Sequence, residues 1–346
     1  MAQTLDLVNR PRRLGLVCAA LLAASCHADS GDPGPRMLSL EGDLRVHDPA
    51  IMREGEAFYA FSTGGGRRGG IVPIRRSADL LKWELCGQVF ETMPAWVAGE
   101  IPGARGIWAP DISFFNGKYH LYYTVSTFGK NTSAIGLATT KTLEPDTPDC
   151  KWADHGLVIR STQDKDDWNA IDANIAIEED GKVWLSFGSF WSGIKMRRID
   201  PATGKLSAED TTLYSLAQRP RGLGGANGAV EAPFIVHNDG FWYLFVSFDI
   251  CCRGVDSTYR IMVGRSRKIT GPYEDQAGTS MLEGGGVLVL EATTDDWKGP
   301  GHCAVLQDGW GDYLVFHAYH GRTGRAELKI SPLLWENGWP YVAPLP

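Results

Sequence analysis

The sequence predicts an all-β chain folded as a five-bladed β-propeller, and three observations carry that prediction. A pattern of apolar strand, tight turn and aromatic strand returns five times at intervals of about sixty residues, and long fixed periods mark propellers, solenoids and arrays. The composition is rich in turn formers and aromatics, with 41 Gly, 19 Pro, 12 Trp, 11 Tyr and 13 Phe, which suits short strands better than long helices. No amphipathic helix of three turns competes with the strands, so a parallel α/β fold is the weaker alternative.

The five copies run in order along the chain. The first is Asp48-Pro49-Ala50-Ile51, Gly55, then Phe58-Tyr59-Ala60-Phe61. The second is Trp108-Ala109-Pro110-Asp111, Asn116-Gly117, then Tyr119-His120-Leu121-Tyr122-Tyr123. The third is Asp172-Ala173-Asn174-Ile175, Asp180-Gly181, then Val183-Trp184-Leu185. The fourth, Val230-Glu231-Ala232-Pro233 to Val236, Asn238-Asp239-Gly240, then Phe241 to Val246, is the strongest hairpin signal. The fifth is His302-Cys303-Ala304-Val305, Gly311, then Tyr313-Leu314-Val315-Phe316. Third strands follow most hairpins, as in Ile74 to Ser77 and Ile261 to Ser266. Four strands per sixty residues fit a propeller blade.

The N-terminus reads differently. Arg10, Arg12 and Arg13 precede an apolar run, Leu14 to Ala24, of about eleven residues where a membrane-spanning helix needs roughly 20. We read residues 1–28 as a secretory signal, 29–42 as a linker and 43–346 as a catalytic propeller. Ala23-Ala24-Ser25-Cys26 resembles a lipoprotein cleavage site, giving a lipid anchor at Cys26, and Ala28 offers ordinary cleavage instead. The expected location is secreted, periplasmic or cell-surface. Removing residues 1–26 takes away three Arg and one Asp, leaving 31 basic against 40 acidic residues, net −9. That balance, with no basic block, argues against nucleic acid as a partner. Five cysteines follow Cys26 without a C-x-x-C pair, against a structural zinc site. The adjacent Cys251 and Cys252 read equally as a vicinal disulfide or two thiols.

The innermost strands of a propeller surround its central channel, so one repeat position converges on one place. The leading residues Asp48, Trp108, Asp172, Glu231 and His302 are separated by 60, 64, 59 and 71 positions. Three carboxylates then face one cavity. Two carboxyl groups flanking a glycosidic bond can protonate the leaving oxygen and activate water. Glu231 lies among Val230, Ala232, Pro233 and Phe234, an apolar setting that favours the protonated form of a general acid. Asp48, beside His47 and near Arg45, suits an ionised base, leaving Asp172 to position Glu231. Trp108 and Phe128 can stack on sugar rings, and His302 is a single-His metal anchor with water completing the shell. His317 is a second metal candidate.

These residues resemble glycoside hydrolase family 43, and in particular its endo-1,5-α-L-arabinanases. The resemblance runs from about Val46 to Pro340 on His47-Asp48-Pro49, Ile107 to Asp111, Ser126-Thr127-Phe128-Gly129, Asn131 to Thr139, Ile171-Asp172-Ala173-Asn174, Gly188 to Gly193, Val230 to Pro233 and Gly299-Pro300-Gly301-His302. Phe248 to Gly254 with Ser257-Thr258-Tyr259 narrows it to arabinanases. The resemblance implies inversion at the anomeric carbon, Asp48 as base, Glu231 as acid and Asp172 as the residue that tunes Glu231. It further implies substrate contacts from Trp108, Phe128, Asn174 and Ser189, and a calcium ion near His302. Two departures stand out: Ala173 where proline is usual, and Cys303 where a polar side chain is expected.

The expected function is endo-hydrolysis of α-1,5-L-arabinofuranosidic linkages in arabinan side chains of pectin, by a monomer without a membrane span. The alternatives are an exo-acting arabinofuranosidase or β-xylosidase of the same family, and a non-catalytic sugar-binding propeller. The last has no need of all three carboxylates.

Overall fold

The computed structural model describes residues 35–346 apart from 65–69, 221–227 and Trp310. The secretory signal and Cys26, read over residues 1–28, lie outside the described residues. Among the described residues, five sheets follow one another along the chain. Blade 1 is Ala50–Glu54, Ala57–Phe61, Ile71–Ser77 and Lys82–Phe90. Blade 2 is Trp108–Phe115, Lys118–Val125, Ser133–Thr140 and Ala153–Ser161. Blade 3 is Asn174–Ile177, Val183–Phe187 and Ile194–Asp200, with Lys205–Leu206 and Tyr214–Ala217 sharing its outer edge. Blade 4 is Val230–Asn238, Phe241–Phe248, Arg260–Ser266 and Val287–Leu290. Blade 5 is Trp297–Asp308, Gly311–His320, Ala326–Glu336 and Trp339–Val342. The five-bladed propeller is the fold.

The turns follow from their residues. Asn116-Gly117, Asp239-Gly240 and Asn337-Gly338 all take positive φ at both positions, 47° and 70°, 45° and 73°, 52° and 74°. Two-residue turns of that hand match the right-handed twist of the strands they join.

The continuous apolar runs of the second strands have a packing cause. In Phe241–Phe248, Leu244, Val246 and Phe248 pack with Trp184, Ile194 and Met196 of blade 3. The alternate residues Tyr243 and Phe245 pack with Leu314 and Phe316 of blade 5. A strand sandwiched between neighbours buries both faces, so it shows no polar alternation.

Residues 35–42 also belong to this structure. Leu38 donates its amide to the Ile330 carbonyl at 2.9 Å, and Glu41–Gly42 pairs in parallel with Lys82 and Trp83. Leu38 and Leu40 cover the core shared by blades 1 and 5. The described end of the expected linker is therefore packed on the propeller. Each sheet uses only its own stretch of chain, so blades 1 and 5 meet through the segment ahead of blade 1, where the Leu328 amide also bonds to the Leu44 carbonyl, and through side-chain packing.

Candidate active site

Each blade leads into its innermost strand through one residue with a left-handed backbone: Asp48, Ala109, Asp172, Ala232 and His302, with φ between 42° and 58°. Such a conformation is disfavoured for a side chain with a Cβ and persists only where the surroundings enforce it. Here the enforcement is a closed ring of hydrogen bonds, one between each pair of adjacent blades. Asp48 donates its amide to His317 Nδ1 (3.1 Å), Ala109 to Thr63 Oγ1 (2.8 Å) and Asp172 to Thr124 Oγ1 (3.0 Å). Ala232 donates to Asp172 Oδ2 (3.1 Å) and His302 to Ser247 Oγ (2.8 Å).

This ring corrects the register expected from sequence. Asp48, Asp172 and His302 are equivalent, but Trp108 and Glu231 stand one residue earlier, level with His47. Trp108 pairs with Thr124 and Glu231 with Ser247 across their hairpins, as the Thr63 amide bonds to the His47 carbonyl in blade 1. In a regular strand one residue of slip reverses a side chain. The left-handed residue breaks the pleat here, and both positions still line the cleft.

The three carboxylates share one cleft of roughly 860 Å³ and carry different charges. Burial pushes the Glu231 carboxyl up to about 7, against the Ser189 hydroxyl, which donates to Oε2 at 2.5 Å and favours the charged form. Tyr259 donates to the other oxygen, Oε1. Gly301 makes room for that ring, since any Cβ at 301 would meet it at 2.1 Å. Burial, then the nearby charges of Glu231 and Asp48, hold Asp172 well above the usual carboxylate range. Buried acids this close titrate as a pair and retain a proton. Burial is the largest single influence on Asp48 and acts to raise it, but the histidines around it, His47 first and then His302 and His317, together outweigh burial and hold it far below that range. Thr63 donates to Asp48 Oδ2 at 2.6 Å, and His47 Nδ1 lies 2.7 Å from the same oxygen. One acid stays protonated near neutrality while another is ionised. That is the requirement for paired acid–base work on a glycosidic bond.

Of the residues read as substrate contacts, Trp108, Phe128 and Ser189 line the cleft with the three carboxylates and His302. Phe128 is 82% exposed, a large apolar ring left open at the rim. Asn174 is different. It is buried between blades, with Nδ2 donating to Asp111 Oδ1 at 3.2 Å and Oδ1 accepting the Ile235 amide at 2.9 Å. Both ends of its amide are spent on holding blades 2, 3 and 4 together, so its reading as a substrate contact is corrected. Ser189 reaches the cleft but its hydroxyl is committed to Glu231. Sequence reasoning missed Thr63, Tyr259 and Tyr319. Thr63, Thr124, Ser247 and His317 recur at one place, toward the end of the second strand of their blades or just past it, a signal legible once that strand is aligned. Cys251 and Cys252 form a vicinal disulfide on the cleft wall, and Cys86, Cys150 and Cys303 are free. Cys303 is buried among apolar side chains of blades 4 and 5, which explains a nonpolar residue beside His302.

Glycosyl hydrolases family 43 matches residues 42–340, nearly all of the described chain. The chain belongs to glycosyl hydrolases family 43. The extracellular endo-alpha-(1->5)-L-arabinanase 1 of Bacillus subtilis (strain 168) is 43% identical over 324 residues, covering 93% of this chain and 95% of that protein. The extracellular exo-alpha-(1->5)-L-arabinofuranosidase ArbA of Cellvibrio japonicus (strain Ueda107) is 41% identical, covering 95% and 90%. Among solved structures, a GH43 endo-arabinanase from Bacillus licheniformis superposes with a TM-score of 0.79 at 48% identity, covering 88% and 99%.

For a family 43 chain, the residues near His302 also bear on a metal. Ligand atoms of His47, Asp48 and His317 lie within 4.8 Å of one another. Their ring nitrogens are already committed: His317 to the Asp48 amide and Tyr319, His47 to Tyr319 and Asp48. His302 fits an anchor better. Burial outweighs the charge of Asp48 and lowers its pKa, so the ring is neutral and keeps a lone pair, and Nδ1 lies 3.2 Å from Asp48 Oδ1. Calcium takes six to eight oxygen ligands, and Asp48 Oδ1 is the carboxylate oxygen beside His302 at this place.

Proposed function

We propose that this family 43 protein is an exported, inverting endo-hydrolase of α-1,5-L-arabinofuranosidic linkages, acting on the arabinan side chains of pectin. The observation that carries the reading is the pairing, in one cleft, of a carboxyl raised to about 7 (Glu231) with one held far below its usual range (Asp48). Glu231 gives its proton to the departing glycosidic oxygen as the bond to the anomeric carbon breaks. Asp48 takes a proton from the water that attacks the opposite face, leaving Glu231 ionised and Asp48 protonated until solvent resets both. Asp172 acts through Glu231, gripping the Ala232 amide and keeping the shared proton on the pair. Trp108 and Phe128 offer ring faces to the sugar chain. His302 would hold calcium, which would supply positive charge beside Asp48 and favour its ionised form.

Endo action on arabinan is supported by the B. subtilis and B. licheniformis relatives, whose names give that mode, and export by the word extracellular in the former. The exo-acting Cellvibrio relative is nearly as similar and favours a second reading, release from chain ends. Digestion of debranched arabinan separates the two. A ladder of oligosaccharides supports endo cleavage, and monomer or one short product alone rejects it. Proton NMR of the first product is expected to show the β-anomer, and a retained α-anomer overturns inversion. Chelator treatment is expected to lower the melting temperature. No change would leave His302 a structural residue.

A further inference from the structure

A second cavity, of roughly 690 Å³, adjoins the cleft, and His47, Thr63 and Cys252 line both. The two differ in charge. Among the described residues, the cleft wall carries four carboxyl groups, Asp48, Asp167, Asp172 and Glu231, against Lys130 and Arg219. The second cavity reverses that balance, with Arg45, Arg75 and Arg325 against Asp43 alone. Asp43 is already spent: the buried Arg75 donates to its carboxylate at 3.1 Å and to its carbonyl at 3.0 Å. Arg45 and Arg325 are exposed and make no ion pair among the described residues. Two positive charges therefore stand uncompensated beside the cleft, in a chain of net charge −7.

The backbone around both arginines is fixed. The Arg45 carbonyl accepts from Arg75 at 2.7 Å. The Leu44 carbonyl accepts the Leu328 amide at 2.8 Å, which ties the Arg45 segment to the strand that follows Arg325. The Arg325 carbonyl accepts the His320 amide at 2.9 Å, and a Cβ at Gly254 would meet the Gly324 Cα at 3.3 Å. Blades 1, 4 and 5 thus hold the walls, and only the two exposed side chains remain to close on a ligand. We propose that this cavity binds the carboxylate of a uronic acid, galacturonate, in the pectin that carries the arabinan chain. The proposal rests on the reading of arabinan as the substrate. A guanidinium offers parallel N–H donors to the two oxygens of a carboxylate, whereas a neutral arabinofuranose has no charge to place there. Because the cavities are continuous, one polymer can lay its neutral side chain at the carboxyl groups and its acidic part at the arginines. An acidic protein and an acidic polysaccharide repel each other, and Arg45 and Arg325 reverse that repulsion next to the cleft.

The test is isothermal titration of the full-length protein with a galacturonate oligosaccharide, beside the same oligosaccharide with its carboxyl groups reduced. The acidic form is expected to bind and the reduced form is not. Binding is expected to weaken several-fold between about 0.05 and 0.2 M salt, as the Debye length falls from about 14 to about 7 Å. Arg45→Glu combined with Arg325→Glu is expected to weaken it about tenfold, in line with two partly exposed charge pairs, at unchanged melting temperature. Catalysis offers a second readout, kcat/KM on pectic arabinan that retains its uronates, divided by that on the same material after carboxyl reduction. This ratio is expected to fall several-fold in the double variant. Failure of the acidic form to bind the unmutated protein overturns the proposal, as does equal binding of both forms, and neither outcome needs a variant. So does a folded double variant that binds as tightly as before. An unmutated protein that cleaves no arabinan sinks the functional reading instead, while the titration still decides the cavity.

Discussion

The Ala232 amide donates to Asp172 Oδ2 at 3.1 Å, so the third carboxylate holds the peptide bond that directly follows Glu231. In three of the other interblade bonds a hydroxyl accepts, from Thr63, Thr124 or Ser247. Blade 3 carries Gly188 at the matching place and cannot. Asp172 fills that role from its own side chain, which ties the position of Glu231 to a charge that also tunes it.

Two substitutions separate these duties. Asp172→Asn keeps an oxygen for the Ala232 amide but removes the charge. It is expected to retain the melting temperature and lose most of kcat. Asp172→Ala also leaves a buried amide unpaired and is expected to cost about 1–3 kcal/mol of stability, measured by denaturant unfolding. Equal stability of the two variants would argue against the bond.

Glu231 must be protonated to act, and burial sets its pKa at about 7. Activity is therefore full below that value and falls as pH rises through it, giving kcat/KM a basic limb near pH 7. The Ser189 hydroxyl favours the charged form and so lowers this pKa. Ser189→Ala is expected to raise it and move the basic limb to higher pH. A limb displaced downward would reverse the assignment.

Asn174 and Phe128 make a contrast. Asn174→Ala strips partners from Asp111 and the Ile235 amide and is expected to destabilise by about 1–3 kcal/mol with KM unchanged. Phe128, 82% exposed, holds no core together. Phe128→Ala is expected to raise KM on arabinan several-fold at unchanged melting temperature. Isothermal binding and thermal unfolding of both variants check the pair.

Asp111 predicts a pH dependence of stability. Burial raises its pKa to about 7, against bonds from Ile175 and Asn174 that favour the ionised form. The folded chain thus binds a proton that the unfolded chain releases near pH 4, its ordinary value. The stability this contributes is present below about pH 4 and is lost as pH rises to about 7, at up to about 1.4 kcal/mol per pH unit. Asp172 and Glu231 act in the same direction. Asp111→Asn is expected to flatten the slope of unfolding free energy between these limits. An unchanged slope would exclude Asp111 as its source.

The sequence by itself determined the repeat, and with it the propeller, because each blade must supply the same apolar strands and turn residues to bury its faces on two neighbours. It also determined which carboxylates meet, since repeat positions converge on the channel whatever the detailed register. The apolar neighbours of Glu231 already indicated its protonated state. What only the tertiary structure decided was decided by contacts between distant blades. Trp108 and Glu231 proved one residue out of step with Asp48, because the left-handed residue at each strand entry is enforced by a side chain of the blade before. Asn174 moved from substrate to framework because its partners lie 61 and 63 residues away. The contacts of His317 with the Asp48 amide and of Tyr319 with His47 join residues about 270 positions apart, and no periodicity in the sequence reports them.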